Sequence, residues 1–100
     1  MKKKIAILGS TGSIGKTLIK IINKDKKNFT VLLLTCNKNY KEILKKSKNL
    51  NVKNLIITNK KSYEILKNKT NNKNINIYNN FDCYDKIFKK KIDYTMCAIS

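Results

Sequence analysis

The sequence predicts an α/β domain: a parallel sheet of about five strands with helices on both faces. Three observations carry that expectation. Short apolar runs alternate with stretches whose apolar residues recur at helical spacing, the pattern of parallel strands joined by crossover helices. The first two runs are apolar throughout, as strands covered on both faces are. All 3 glycines of the 100-residue chain fall in one stretch, Gly9-Ser10-Thr11-Gly12-Ser13-Ile14-Gly15, directly after the first run.

The elements follow in order. Lys4 to Leu8 is a short buried strand, β-branched at Ile5 and Ile7. The glycine turn comes next. Ile14, Leu18, Ile21 and Ile22 then define a helix from Ile14 to about Asn23 with one core-facing stripe. The polar stretch Asn23 to Asn28 ends it. Thr30-Val31-Leu32-Leu33-Leu34 is the second strand and Asn37-Lys38-Asn39 a turn. Tyr40, Ile43 and Leu44 mark a weaker helix running to about Lys48. Leu55-Ile56-Ile57-Thr58 is the third strand, and Asn59 is placed to cap a helix carrying Tyr63, Ile65 and Leu66. Lys69 to Asn74 is a polar loop. Ile75-Asn76-Ile77-Tyr78 is a fourth strand. Asn80 is placed to cap a last helix with Phe81, Tyr84, Ile87 and Phe88 on one face. Tyr94 to Ile99 is the fifth strand. There is no internal repeat or linker, so residues 1–100 read as one Rossmann-like domain. Ligands of such sheets bind at the carboxyl ends of the strands, where the strand order switches. The first two turns and Ser100 are expected on that edge.

Composition narrows the class. A hydrophobic content of 41% is ordinary for a globular chain. No apolar run approaches the roughly 20 residues that span a bilayer. The first strand begins within a few residues of Met1, so no signal or transit peptide is expected. Cys36, Cys83 and Cys97 have no metal-type spacing and His is absent. Reduced, partly buried thiols and a cytoplasmic setting are expected. The formal charge of +17 would suit nucleic acid, but all 23 basic residues are Lys. They are spread along the chain rather than gathered in a stripe, and Asn and Ile, whose codons are also A/T-rich, are inflated beside them. Base readout and stacking favour Arg and aromatics. No nucleic-acid partner and no membrane partner are expected.

The glycine turn admits three readings. As a dinucleotide site, one glycine makes the tight turn, one admits the pyrophosphate and one lets helix and strand pack closely. The backbone N–H groups at the helix N-terminus then face the phosphates, and Thr11 and Ser13 add hydroxyl donors. As a P-loop, Gly15-Lys16-Thr17 has the right ending, but Ser10 stands where the spacing wants Gly, and no strand ends in an Asp for Mg²⁺. The third reading is a turn with no ligand. For the dinucleotide reading, the end of the second strand selects the cofactor. Thr35-Cys36-Asn37-Lys38-Asn39 has no carboxylate to accept from a ribose 2′-OH and has one lysine to meet a 2′-phosphate, so NADP is expected.

Ile-Leu-Gly-Ser-Thr-Gly-Ser-Ile-Gly at positions 7 to 15 resembles the N-terminal signature of the 1-deoxy-D-xylulose 5-phosphate reductoisomerase family. The resemblance continues to Phe29, the second strand and the turn at 37 to 39. It weakens in the middle and resumes loosely from Asp93 to Ser100. It covers the family's N-terminal cofactor domain, so a longer enzyme is expected, with this chain as its NADPH-binding part. The resemblance implies an enzyme of the non-mevalonate isoprenoid pathway. Such an enzyme rearranges and reduces a phosphorylated sugar with NADPH, while a divalent metal, Mg or Mn, holds the substrate oxygens. It leaves room for a homodimer of the full-length enzyme. By position it implies Thr11, Gly12, Ser13 and Ile14 at the pyrophosphate and its neighbourhood, and Asn37, Lys38 and Asn39 at the 2′-phosphate. Many members have Gly where this chain has Asn37.

The family's metal and catalytic groups lie beyond residue 100, so no catalytic residue and no metal ligand is assigned here. Asp82 and Asp85, the nearest thing to a carboxylate pair, suit the first turn of a helix. Two alternatives stand beside this reading. One is the cofactor domain of another NADP enzyme, such as a semialdehyde dehydrogenase, whose turn usually has Ala in place of Ser10. The other is a non-catalytic nucleotide-binding remnant.

Overall fold

In the computed structural model, residues 3–10, 12–69, 75–82, 84 and 91–97 are described. Strands β1 (Lys3–Leu8), β2 (Phe29–Cys36), β3 (Asn54–Ile57), β4 (Asn76–Tyr78) and β5 (Tyr94–Cys97) form one sheet in the order β4-β3-β2-β1-β5. Every pairing is parallel. Helices α1 (Ser13–Lys24), α2 (Tyr40–Leu50) and α3 (Lys60–Lys69) make the first three crossovers.

All three helices contribute to the same core. Ile19 and Ile22 of α1, Ile43 of α2 and Leu66 of α3 pack with Ile5, Ile7, Val31, Leu34, Leu55 and Ile57 of the sheet. Each such fully buried aliphatic side chain contributes about 1.5–3 kcal/mol of burial free energy. The chain order explains why the helices share a face. From β1 to β4 the strands are laid down in one direction, and crossovers of one hand then place every helix on one side. The opposite face is covered by Tyr78, Phe81, Tyr84 and Ile92, packed over Ala6, Leu33 and Ile56. The helices expected on both faces thus resolve into three on one face and the β4–β5 connection on the other. Of that connection's predicted helix, Asn80 accepts from the Asp82 N–H at 3.1 Å through its side-chain oxygen. Ile87, Phe88 and Asp85 lie outside the described residues, as do Cys83, residues 70–74 of the predicted loop, the end of the last predicted strand at Ile99, and Ser100.

Local chemistry sets the element ends. Asn59 caps α3 as its sequence position predicts: its side-chain oxygen accepts from the Ser62 N–H at 3.0 Å. Helix α2 stops at Asn51, which takes the left-handed conformation with φ 56°, a conformation Asn tolerates better than most residues. Asp93 seats β5: its carboxylate accepts from the Lys4 N–H, and its own N–H donates to the Lys4 carbonyl, both at 2.7 Å. That pair fixes β5 beside β1, so β1 lies between strands reached in opposite directions along the sheet. The carboxyl end of β1 is therefore at the switch point, and the glycine turn leaves from there. No helix among the described residues is long and apolar enough to cross a membrane.

Candidate functional site

The three glycines do different work. Gly9 has φ 76°, a conformation that L side chains rarely adopt, and it turns the chain out of β1. Gly15 lies in the first turn of α1 and packs on the turn itself. A Cβ there would come 2.5 Å from the Gly9 carbonyl oxygen and 2.7 Å from the Ser10 backbone. Gly12 is the N-cap of α1, exposed, with φ −75° and ψ 173°, an extended conformation open to any residue. Nothing in its backbone angles calls for glycine.

The turn is held by β2. The Gly9 N–H donates to the Thr35 hydroxyl at 2.9 Å. The Thr35 carbonyl accepts from the Ser10 N–H at 2.8 Å and from the Ser10 hydroxyl at 3.1 Å. Ser10 and Thr35 are both buried. An irregularity in β2 sets this up. Ile5 pairs with Val31 but Ala6 pairs with Leu33, so Leu32 is an extra residue. Such a bulge re-aims the side chains beyond it. Val31, Leu34 and Cys36 face the helix-covered core while Leu33 faces the other side.

One residue beyond Cys36 the chain enters the second turn. Asn37, Lys38 and Asn39 are all exposed. The Asn37 side-chain oxygen accepts from the Thr58 hydroxyl at 3.0 Å, and its carbonyl accepts from the Asn59 N–H at 3.1 Å. Among the described residues Asn51 is the non-glycine residue with positive φ, so Asn37 makes its turn without a left-handed backbone. Asn39 is the N-cap of α2: its carbonyl accepts from Ile43 at 3.1 Å, but its side chain makes no capping bond. Two causes act on the Cys36 thiol: burial, the larger, raises its pKa, and a hydrogen bond from the Asn39 backbone lowers it. Burial outweighs the bond and pushes the Cys36 thiol up to about 11. Burial thus favours the neutral form of this free thiol.

All but one of the predicted site residues can now be located. Gly12, Ser13 and Ile14 open α1 at the carboxyl end of β1, and Ile14 is 55% exposed, a large apolar side chain left uncovered beside the turn. Thr11 lies outside the described residues. Asn37, Lys38 and Asn39 stand at the carboxyl end of the adjacent strand, β2. The first turn of α1 carries no acidic residue, so its N–H groups and dipole are open to an anion. Reading the sequence missed Thr35 and Ser10 as holders of the turn, and Thr58 as a support of Asn37. The available signal was a polar residue near the end of an otherwise apolar run.

A doubly wound parallel sheet with a glycine turn at its switch point defines a Rossmann-like domain. The chain belongs to the 1-deoxy-D-xylulose 5-phosphate reductoisomerase family, whose model matches residues 5–100. It is 55% identical over 100 residues to the reductoisomerase of Pelagibacter ubique, an alignment covering 98% of this chain and 26% of that protein. Among solved structures, the Zymomonas mobilis reductoisomerase in complex with NADPH matches with a TM-score of 0.86 at 27% identity, covering 99% of this chain and 26% of that one. A reductoisomerase in complex with NADPH, fosmidomycin and magnesium shares the fold, with a TM-score of 0.84 at 22% identity, 97% of this chain and 24% of that one. The chain thus spans about a quarter of the length of these relatives.

Proposed function

We propose that residues 1–100 are the NADPH-binding part of a 1-deoxy-D-xylulose 5-phosphate reductoisomerase. The carrying observation is the glycine turn. Gly9 is bent, Gly15 is pressed against the turn, and Gly12 is exposed at the N-terminus of a helix whose first turn carries no acidic residue. That is the division a pyrophosphate needs. In this reading Thr11, Gly12, Ser13 and Ile14 meet the pyrophosphate and its neighbourhood, and Asn37, Lys38 and Asn39 hold the 2′-phosphate. Bound NADPH supplies the hydride. The chain's own residues bind and orient the cofactor and neither give nor take a proton.

The whole enzyme's reaction belongs to the same proposal: rearrangement of deoxyxylulose phosphate and reduction to methylerythritol phosphate, in the non-mevalonate isoprenoid pathway. The substrate is a small phosphorylated sugar. Among the described residues no three of His, Cys, Asp and Glu come together. No step through the divalent metal is therefore derived from this chain, and the metal is assigned to the length of the relatives it does not span. A homodimer of the full-length enzyme and a cytoplasmic setting complete the reading; the buried free thiol of Cys36 suits a reducing compartment. Dispersed lysines support neither a nucleic-acid nor a membrane role. The family match leaves the semialdehyde-dehydrogenase alternative without support.

Two experiments test the reading. Fluorescence titration should give tighter binding of NADPH than of NADH. A charge-assisted contact from Lys38 to the 2′-phosphate is worth about 1.5–3 kcal/mol, or about ten- to hundredfold, with its exposure favouring the low end. Lys38→Glu should erase that preference and leave NADH binding nearly as it was. Equal losses for both cofactors would move the 2′-phosphate site elsewhere. In the second experiment the 100-residue chain is assayed alone for NADPH oxidation with deoxyxylulose phosphate and Mg²⁺ or Mn²⁺. No turnover is expected, because reduction needs a held acceptor as well as a donor. Activity on adding a separately expressed remainder of the Pelagibacter relative supports the assignment. Turnover by the chain alone would overturn the division of labour.

A further inference from the structure

We propose that Thr35 is a positioning residue for the cofactor pyrophosphate: its hydroxyl and carbonyl hold the glycine turn on the strand that also delivers the second turn. The inference rests on the NADPH reading above and goes one step further. Thr35 ends no turn and faces no solvent; it is 2% exposed. Yet three hydrogen bonds run from the glycine turn to this residue: Gly9 N–H to its hydroxyl, and Ser10 N–H and Ser10 hydroxyl to its carbonyl. Two residues later the same strand delivers Asn37-Lys38-Asn39. Movement of the end of β2 is therefore passed to both turns at once.

The two kinds of bond separate in a substitution. The carbonyl bonds survive any side chain. The hydroxyl bond to Gly9 does not, and Gly9 carries the positive φ of 76° that aims the turn. In Thr35→Val the volume is kept and the Gly9 N–H loses its acceptor in a part-buried place. The turn is then free to shift from the geometry that presents the Gly12 backbone. Because the pyrophosphate is common to both cofactors, the loss must be common too. This distinguishes Thr35 from Lys38, whose replacement discriminates between them.

The test uses the 100-residue chain and titrates NADPH and NADH against wild type, Thr35→Val and Thr35→Ser. Thr35→Val should weaken both cofactors by the same factor, about tenfold. Thr35→Ser, which keeps the hydroxyl, should bind within about twofold of wild type. Amide hydrogen exchange at Gly9 should be slow in wild type and Thr35→Ser and fast in Thr35→Val. If Thr35→Val does not fold, Thr35→Ala, which lets water reach the Gly9 N–H, is read in the same way. A folded variant lacking the hydroxyl that binds both cofactors like wild type overturns the proposal. So does a loss confined to NADPH, or the unfolding of both variants, which would make Thr35 a residue of the fold alone. If wild type binds neither cofactor, the NADPH reading fails, and unchanged Gly9 exchange in Thr35→Val would show separately that the hydroxyl does not hold the turn.

Discussion

Gly12→Val is expected to abolish NADPH binding while leaving the domain folded. Gly12 sits in an extended conformation, φ −75° and ψ 173°, and is exposed. A β-branched residue adopts those angles without strain. The cost to the fold is confined to the N-cap of α1, where Val is a poorer cap than Gly by an amount on the order of 1 kcal/mol or less. The cost to the ligand is of another kind. If the pyrophosphate lies against the N-terminus of α1, three new heavy atoms at position 12 occupy its place, and the helix N–H groups lose their anion. Losing even two charge-assisted bonds of about 1.5–3 kcal/mol each weakens binding by at least about a hundredfold. Circular dichroism and the urea midpoint should stay near wild type while the NADPH titration goes flat. A variant that unfolds would mean that Gly12 serves packing; one that still binds would move the pyrophosphate off this turn.

The same turn marks how far the sequence could be read. The glycine stretch foretold a tight turn, at Gly9, and a close packing, at Gly15, and the alternation of apolar runs foretold the five strands. Both rest on local patterns. What escaped was set by contacts distant along the chain. The β2 run is apolar on both faces, so no alternation betrays the extra residue at Leu32, and without that bulge the orientation of Thr35 is not deducible. Thr35 meets Gly9 and Ser10 across 26 and 25 residues, and Asp93 meets Lys4 across 89. Neither pair has a sequence signature. The turn at Asn37 was legible as a turn, but its backbone was not. The Gly of many family members suggests a left-handed residue, whereas here Asn37 has no positive φ and is held by Thr58, the residue after β3. The side of the sheet each helix covers follows from strand order, which the sequence alone leaves open until Asp93 fixes β5 beside β1.

Gly15→Ala is where local propensity and tertiary packing predict opposite signs. Gly15 is a helical residue, and exchanging Gly for Ala within a helix ordinarily gains about 1 kcal/mol. On that ground the variant should be more stable. The structure says otherwise. The added Cβ would stand 2.5 Å from the Gly9 carbonyl oxygen and 2.7 Å from the Cα and carbonyl carbon of Ser10. All three are backbone atoms, and that backbone is itself fixed to Thr35 by three hydrogen bonds. No flexible side chain is available to yield. Overpacking of this kind costs about 3 kcal/mol at the upper end of its usual range. The clash wins over the propensity by about 2 kcal/mol. For a domain of about 100 residues that lowers the melting temperature by about 8–16 °C. Gly15→Val should go further and leave little folded protein, because its branches meet the same backbone. Thermal melts followed by circular dichroism, with Gly12→Ala as the companion that should melt close to wild type, decide the matter. A Gly15→Ala protein as stable as wild type would mean that α1 does not press on the glycine turn. The helix would then stand too far out for its N-terminus to share a phosphate with that turn.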